Sequence, residues 1–140
     1  MKIAVTGAFS YSGKYVAERL LKRGAEVITL TNHPDRPDPF SGRVRAHPLD
    51  FEDEAALTAS LTGADVLVNT YWVRFDRGKN TQPRAVENTR RLLKAARRAG
   101  LSRIVHISIT NPSAASALPY FRGKAANEQE VIESGMSYAI

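Results

Sequence analysis

Short apolar runs alternate with amphipathic segments along the chain. Ile3-Ala4-Val5 forms the first run, and Val16, Leu20 and Leu21 then recur at the spacing of a buried helix face. This alternation predicts five strands, at 2–6, 25–31, 43–48, 65–70 and 103–109. It predicts four helices, near 12–23, 52–61, 83–99 and 122–134. Right-handed crossovers between such strands predict an α/β protein with a doubly wound parallel sheet.

The ends of these elements carry further signals. Gly24, Gly63 and Gly100 each follow a predicted helix, where a left-handed C-cap is needed. The last four residues, 137–140, predict the start of a sixth strand. Because a domain seldom ends inside a core element, we expect residues 1–140 to form one domain at the N-terminus of a longer protein. The alternative is an edge strand that another chain completes.

The segment from Val5 to Lys14 joins the first strand to the first helix. Gly7 allows a tight turn off the strand, and Gly13, which lacks a Cβ atom, allows the helix to pack closely. The N–H groups of the first helical turn and the positive end of the helix dipole then face a pyrophosphate. This arrangement predicts a nucleotide-binding Rossmann βαβ unit. The alternative is an ordinary strand-to-helix turn.

Composition narrows the class of protein. The chain has 140 residues, 43% of them hydrophobic and 24% charged, and it contains no cysteine, which excludes disulfides and thiolate metal sites. No apolar stretch approaches the roughly 20 residues of a membrane helix. Met1 leads directly into a strand without a secretory signal pattern, so we expect a cytoplasmic protein that does not bind membranes.

The net charge of +6 and the pI near 9.9 raise the question of nucleic-acid binding. Much of the positive charge falls on one predicted helix, on the side opposite its apolar residues. These cations are Arg84, Arg90, Arg91, Lys94, Arg97 and Arg98. Because no aromatic residues are interleaved with them, we interpret this face as a solvated outer surface rather than a nucleic-acid site.

Five motifs in order carry a family resemblance. They are Thr6-Gly7 through Gly13, Leu49-Asp50-Phe51, the run from Val66 to Thr70, the run from Arg103 to Ser108, and Tyr120-x-x-x-Lys124. In this order and spacing the chain resembles the extended or atypical branch of the short-chain dehydrogenase/reductase superfamily. Within that branch it is similar to NmrA-like proteins, to NAD-dependent epimerases and dehydratases, and to the complex I accessory subunit.

The resemblance implies a Rossmann fold that binds NAD(P), a small-molecule substrate and, in many members, a homodimer. It also implies that the C-terminal substrate lobe is missing here. The expected cofactor contacts are Gly7, Phe9, Ser10, Tyr11, Ser12, Gly13, Asp50, Phe51, Asn69, Thr70, Tyr71 and Lys124. Extended members usually carry glycine where this chain has Ser10, and classical members carry it where this chain has Tyr11. The Ser10 side chain either crowds the pyrophosphate or donates a hydrogen bond to it. Read without the resemblance, Asp50 is a cap for a helix beginning near Glu52.

The end of the second predicted strand bears on the choice of cofactor. A carboxylate there would bind the ribose hydroxyls of NAD and repel a 2′-phosphate, but the chain has Asn32 and His33. Together with Arg36 these side chains can hold a 2′-phosphate, so we predict a preference for NADP over NAD. The alternative is an ordinary polar loop over residues 32–42.

Tyr120 and Lys124 are the candidate catalytic pair. One helical turn apart, they share a face, so the ammonium can favour the ionised phenol and let it exchange a proton with a substrate oxygen. By resemblance, Thr110 or, as second choice, Ser108 orients that oxygen. The alternative is a helix that simply begins near Pro119 with the Tyr120 ring in the core.

Two classes of function follow. The first is an NADP-dependent oxidoreductase, or an epimerase that uses the cofactor transiently. The second is a regulator or assembly protein that binds dinucleotide without turnover. No metal site is predicted, because the three histidines lack clustered carboxylates and His106 is interpreted as a core residue.

Overall fold

Six parallel strands and four helices make up the fold in a computed structural model, which describes residues 1–33 and 35–140. The strands are β1 (Lys2–Thr6), β2 (Glu26–Thr31), β3 (Val44–Pro48), β4 (Val66–Asn69), β5 (Arg103–His106) and β6 (Ser137–Ala139). The helices are α1 (Tyr11–Lys22), α2 (Glu54–Leu61), α3 (Gln82–Arg98) and α4 (Pro119–Glu133). The strand order β3-β2-β1-β4-β5-β6 reverses direction at β1, which confirms the predicted Rossmann-like α/β sheet.

Alternating side chains of the central strands supply two separate cores. Ile3 and Val5 of β1 face α1, whose Ala17 is fully buried against them. Ala4, the residue between them, faces the opposite layer, which is formed by α2, α3 and α4. Both faces of β1 are therefore covered, and its carboxyl end is the part of the strand left open to a ligand.

Several boundaries differ from the sequence-based expectation. β5 ends at His106 rather than at residue 109, and α4 begins at Pro119 rather than near residue 122. α2 begins at Glu54, with Asp53 as its N-cap, because the Asp53 carboxylate accepts the Ala56 N–H at 2.9 Å. The interpretation of Asp50 as the helix cap is therefore wrong. Its carboxylate instead accepts the Glu52 N–H at 2.9 Å within the preceding turn.

The predicted helix ends are confirmed at Gly24, Gly63 and Gly100, whose φ angles are 79°, 79° and 89°. The predicted sixth strand is also confirmed, as β6 at the edge of the sheet beside β5. None of the four helices in the described ranges combines the length and the apolar character that a membrane crossing requires.

Candidate functional site

The carboxyl ends of β1 to β4 open into one cleft of about 1210 Å³. This is the edge of the sheet where strand order reverses and where such folds bind ligands. The predicted cofactor residues that line the cleft are Gly7, Ser10, Asn32, His33, Arg36, Asp50, Phe51, Thr70 and Tyr71. The fold thus gathers residues from four separate strand ends into one concave surface.

The turn after β1 has the geometry expected for phosphate binding. Gly7 has a φ of 67°, and its N–H donates to the Leu30 carbonyl at 2.9 Å, which anchors the turn to β2. The Ser10 hydroxyl donates to the Gly7 carbonyl at 2.6 Å. Among the described residues, no side chain caps the start of α1, so the first N–H groups of that helix are left for a ligand. Ser10 therefore braces the turn, an arrangement that neither alternative for its side chain anticipated.

Three predicted cofactor residues on the same segment lie away from the cleft. The Phe9 ring packs in the core beside Phe40, with 6.4 Å between ring centroids. Tyr11 is 82% exposed and contacts Tyr15, and Ser12 is exposed on the helix surface. These three side chains lie away from the cleft, so a contact of this segment with the cofactor would come from its backbone and from Ser10, and the prediction that Phe9, Tyr11 and Ser12 bind the cofactor stays a prediction.

Asn69 does not line the cleft but forms hydrogen bonds with residues that do. Its fully buried amide oxygen accepts the Thr6 hydroxyl at 3.2 Å and the Tyr71 N–H at 3.1 Å. The Thr6 hydroxyl in turn accepts the Thr70 N–H at 2.7 Å. This network ties the ends of β1 and β4 together and thereby orients Thr70 and Tyr71.

His106 completes the network at the end of β5. The Asn69 oxygen accepts two bonds, which orients the amide so that its nitrogen donates to the His106 Nδ1 at 3.1 Å. The proton of the neutral ring is therefore on Nε2, which has no partner among the described residues. Burial, together with the Lys124 charge, lowers the pKa of His106 to about 4. His106 is thus a neutral core residue at pH 7, with one of its two nitrogens paired.

A pair of aromatic rings forms the wall near β3. The Phe51 and Tyr71 centroids are 4.8 Å apart, and the Asn88 amide donates to the Tyr71 hydroxyl at 2.9 Å. Burial raises the pKa of that phenol, so it stays protonated near neutral pH. The exposed Asp50 carboxylate lies on the same side of the cleft. Flat apolar surface next to a hydrogen-bond acceptor is the chemistry that an adenine ring requires.

The wall at the end of β2 is polar and basic. Asn32, His33 and Arg36 are exposed and line the cleft, and the His33 N–H donates to the Thr31 hydroxyl at 3.0 Å. Within the described residues, the first acidic side chain after β2 is Asp35, which does not line the cleft. A 2′-phosphate therefore meets no carboxylate from β2 here.

Tyr120 and Lys124 do not line the cleft, and both lie beside Trp72, which does. The indole ring lines the cleft, and its centroid is 5.8 Å from that of Tyr120 and 4.9 Å from the Lys124 Nζ. Lys124 is 4% exposed and donates to the Ile107 carbonyl at 3.2 Å. The cation stacks on Trp72, and no hydrogen bond joins it to the Tyr120 phenol among the described residues, so the expected pairing of ammonium and phenol stays a prediction.

Neither hydroxyl predicted to orient a substrate lines the cleft. Thr110 is exposed beyond the end of β5. Ser108 is half-buried, and its hydroxyl has no hydrogen-bond partner among the described residues. Because β5 ends early, this stretch leaves the sheet before it reaches either residue.

Sequence reasoning missed the role of Trp72 as a packing partner of α4. A Cβ atom on Gly123 would lie 2.6 Å from the indole, so the glycine inside the Tyr-x-x-x-Lys motif makes room for that ring. The signal was present in the sequence, since Trp72 follows β4 closely and Gly123 falls between Tyr120 and Lys124. Their contact is long-range and could not be read from spacing alone.

Burial lowers the pKa of Lys124 to about 8 from its ordinary value of 10.5. Below pH 8 the side chain is charged in both folded and unfolded chains, and the folded chain bears the cost of burying it. Between pH 8 and 10.5 the folded chain loses the proton first, so the free energy of unfolding rises with pH, by up to about 3 kcal/mol. We expect Lys124→Met to remove this rise in urea unfolding measured across that range. The exposed control Lys22→Met should retain it, and a Lys124→Met profile parallel to that of the wild type would contradict the assignment.

The sequence matches the model of one protein family over residues 7–140, which is nearly the whole chain. That family is described as NAD(P)H-binding. The chain belongs to it. Membership in the NAD(P)H-binding family agrees with the glycine turn, the reversal of strand order and the cleft, and it confirms the predicted superfamily and cofactor class.

Two relatives illustrate how similar individual sequences are to this chain. The chain is 37% identical over 108 residues to an uncharacterised protein of Mycobacterium tuberculosis, covering 77% of this chain and 12% of that one. It is 26% identical over 141 residues to quinone oxidoreductase 2 of Escherichia coli, covering 99% of this chain and 46% of that one. The chain therefore spans less than half the length of either relative.

Solved structures support the same fold. NADPH-dependent quinone oxidoreductase of E. coli, in complex with NADPH, superposes with a TM-score of 0.76 at 26% identity, covering 97% of this chain and 46% of that one. A short-chain dehydrogenase/reductase superfamily protein of Agrobacterium tumefaciens with bound NAD gives a TM-score of 0.77 at 23% identity, covering 100% and 48%. Neighbours with either cofactor thus share the NAD(P)H-binding family's fold.

Proposed function

We propose that this chain is the cofactor domain of an NADP-dependent oxidoreductase. The observation that carries the proposal is a single cleft in which the Gly7 turn faces a β2 end bearing Arg36 and no carboxylate. The first N–H groups of α1 would hold the pyrophosphate, and Asn32, His33 and Arg36 would hold the 2′-phosphate. Phe51 and Tyr71 would pack on the adenine.

A bound nicotinamide would supply or accept hydride. Tyr120 would exchange the accompanying proton with the substrate oxygen, and Lys124 would favour the ionised phenol once its ammonium leaves Trp72. The similarity to a protein named quinone oxidoreductase favours a carbonyl or quinone as substrate over a sugar nucleotide. A small-molecule substrate, a cytoplasmic location and pairing of two copies through α3 and α4 belong to the same proposal.

A second candidate is a dinucleotide-binding protein that does not turn over substrate. Lys124 favours it, because its ammonium is buried and donates to the Ile107 carbonyl rather than to Tyr120. Similarity to a photosystem II assembly factor of Cyanophora paradoxa, at 26% identity, points the same way. Both candidates require a bound dinucleotide, and they differ only in what Tyr120 does.

Direct titration with NADPH and NADH tests the shared requirement. Trp72 is the only tryptophan and lines the cleft, so its fluorescence should change on binding. We expect tighter binding of NADPH than of NADH. NADPH at 100 times its dissociation constant should raise the free energy of unfolding by about 2.7 kcal/mol. Binding of neither dinucleotide would contradict both candidates, and equal affinities would contradict the NADP preference.

A further inference from the structure

The loop between β4 and α3 contains a tight antiparallel turn, which the proposed cofactor contacts leave unexplained. We call this turn, together with the three residues before it, the hairpin (residues 74–80). Its backbone closes at Arg77 and Asn80, where each N–H donates to the other's carbonyl, at 2.8 and 3.0 Å. The turn between them contains Gly78, with a φ of 56°, and Lys79. Two backbone hydrogen bonds therefore fix the conformation of this turn.

Hydrogen bonds also attach the hairpin to the start of α3. The Asp76 carboxylate accepts the Gln82 N–H at 2.8 Å, and the Gln82 side chain donates to the Arg74 carbonyl at 3.4 Å. Asp76 carries the one carboxylate of the hairpin, and it forms no ion pair with the hairpin cations among the described residues. The side chains of Arg74, Arg77 and Lys79 all line the cleft.

The three hairpin cations differ from those on the outer face of α3. On α3, Arg84 pairs with Glu52 at 2.6 Å and Lys94 pairs with Glu54 at 3.2 Å, and Arg90, Arg91 and Arg98 also have carboxylate partners. Within residues 1–33 and 35–140, the hairpin cations form no ion pair. Unpaired positive charge around a concave surface concentrates an anion there.

The hairpin also offers an aromatic surface. Phe75 lies between Arg74 and Asp76 in the sequence, lines the cleft and is 76% exposed. An exposed phenylalanine beside unpaired cations suits a ligand that combines an aromatic ring with a phosphate. The adenosine of NADP has this combination, because a phosphate on its 2′-hydroxyl lies close to the adenine ring, whereas the adenosine of NAD carries phosphate only at its 5′ position.

We infer that the hairpin is a second half of the 2′-phosphate site, in which Arg77 and Lys79 contact the phosphate from the side opposite Arg36. This inference rests on the proposed function, since it requires that NADP binds in the cleft. It assigns the preference for NADP to the β4–α3 connection as well as to the end of β2. A substrate phosphate or the pyrophosphate would suit the same cations, so the test separates these sources.

The test compares NADPH and NADH affinities of the wild type with those of the double variant Arg77→Gln, Lys79→Gln. We expect NADPH to bind roughly 10- to 100-fold more weakly to the variant, because two charge-assisted contacts are lost, and NADH to change less than about threefold. The fragment 2′-phosphoadenosine 5′-phosphate should lose affinity in parallel, whereas adenosine 5′-phosphate should not. The matched control is Arg23→Gln, Arg103→Gln, which removes the same charge from exposed positions outside the cleft.

Each result is decisive. Equal weakening of NADPH and NADH would overturn the 2′-phosphate assignment in favour of the pyrophosphate. Unchanged binding of both would overturn a cofactor role for the hairpin and leave a substrate anion as the source. If the wild type binds NADPH and the hairpin variant binds it as tightly as the control variant does, the hairpin inference fails while the proposed function stands. If the wild type binds neither dinucleotide, both fail.

Discussion

We expect Gly13→Ala to lower the free energy of unfolding by about 3 kcal/mol and to abolish dinucleotide binding. A Cβ atom at this position would lie 2.1 Å from the Gly7 carbonyl oxygen, 2.6 Å from the Gly7 carbonyl carbon and 3.0 Å from the Ala8 Cα. All three are backbone atoms, which cannot rotate away as a flexible side chain can. The helix or the turn must therefore shift, and the Gly7 turn that faces the cleft shifts with it.

Without this close contact, Gly13→Ala would raise the free energy of unfolding, because alanine in a helix is favoured over glycine by about 1 kcal/mol. Urea unfolding measures the change, and a fall of roughly 10 °C in the thermal midpoint should accompany it. Ser12→Ala is the matched control, since Ser12 is exposed one position earlier in α1. A stabilised Gly13→Ala variant would show that the close approach of helix and turn is not required.

Gly123→Ala provides a graded comparison with Gly13→Ala. Its Cβ would meet the Trp72 ring at 2.6 Å, which is a side chain and can move. Because the ring can move, we expect Gly123→Ala to lower the free energy of unfolding less than Gly13→Ala does. We also expect it to change the fluorescence of Trp72.

The second large effect concerns Tyr120. If its phenol exchanges the proton in a hydride transfer, Tyr120→Phe should lower kcat by about 100- to 10,000-fold while the affinity for NADPH changes little. The ring and its contact with Trp72 remain, so the variant removes the hydroxyl alone. Turnover is to be measured with NADPH and quinones on the full-length protein, since the chain spans 46% of its E. coli relative.

Tyr138→Phe serves as the control, because Tyr138 is an exposed residue of the edge strand β6. Equal turnover by Tyr120→Phe and the wild type would remove the phenol from the mechanism. If the wild type binds NADPH but turns over no quinone or carbonyl, the results would favour the dinucleotide-binding protein without turnover.

Local patterns predicted much of the site. The glycine turn and the end of β2 could each be located because a strand end and its following residues are adjacent in sequence, whereas Asp50 and Phe51 were expected there only from the family resemblance. A parallel sheet then brings all strand ends to one edge, so their side chains meet without any further information. The positions of Phe9, Tyr11 and Asn69 could not be predicted in this way, because each depends on which way one side chain points from a bend.

What the sequence determined by itself was the element order, the parallel Rossmann sheet and a nucleotide site at the glycine turn, since hydrophobic period, helix caps and strand-end motifs act over a few residues. The NAD(P) cofactor was what the family resemblance added. Only the tertiary structure decided that Lys124 stacks on Trp72, that His106 pairs with Asn69, and that the hairpin cations line the cleft with no ion pair in the part of the chain that the structure describes. Each of these contacts joins segments far apart in the chain, and burial in a shared core selects them.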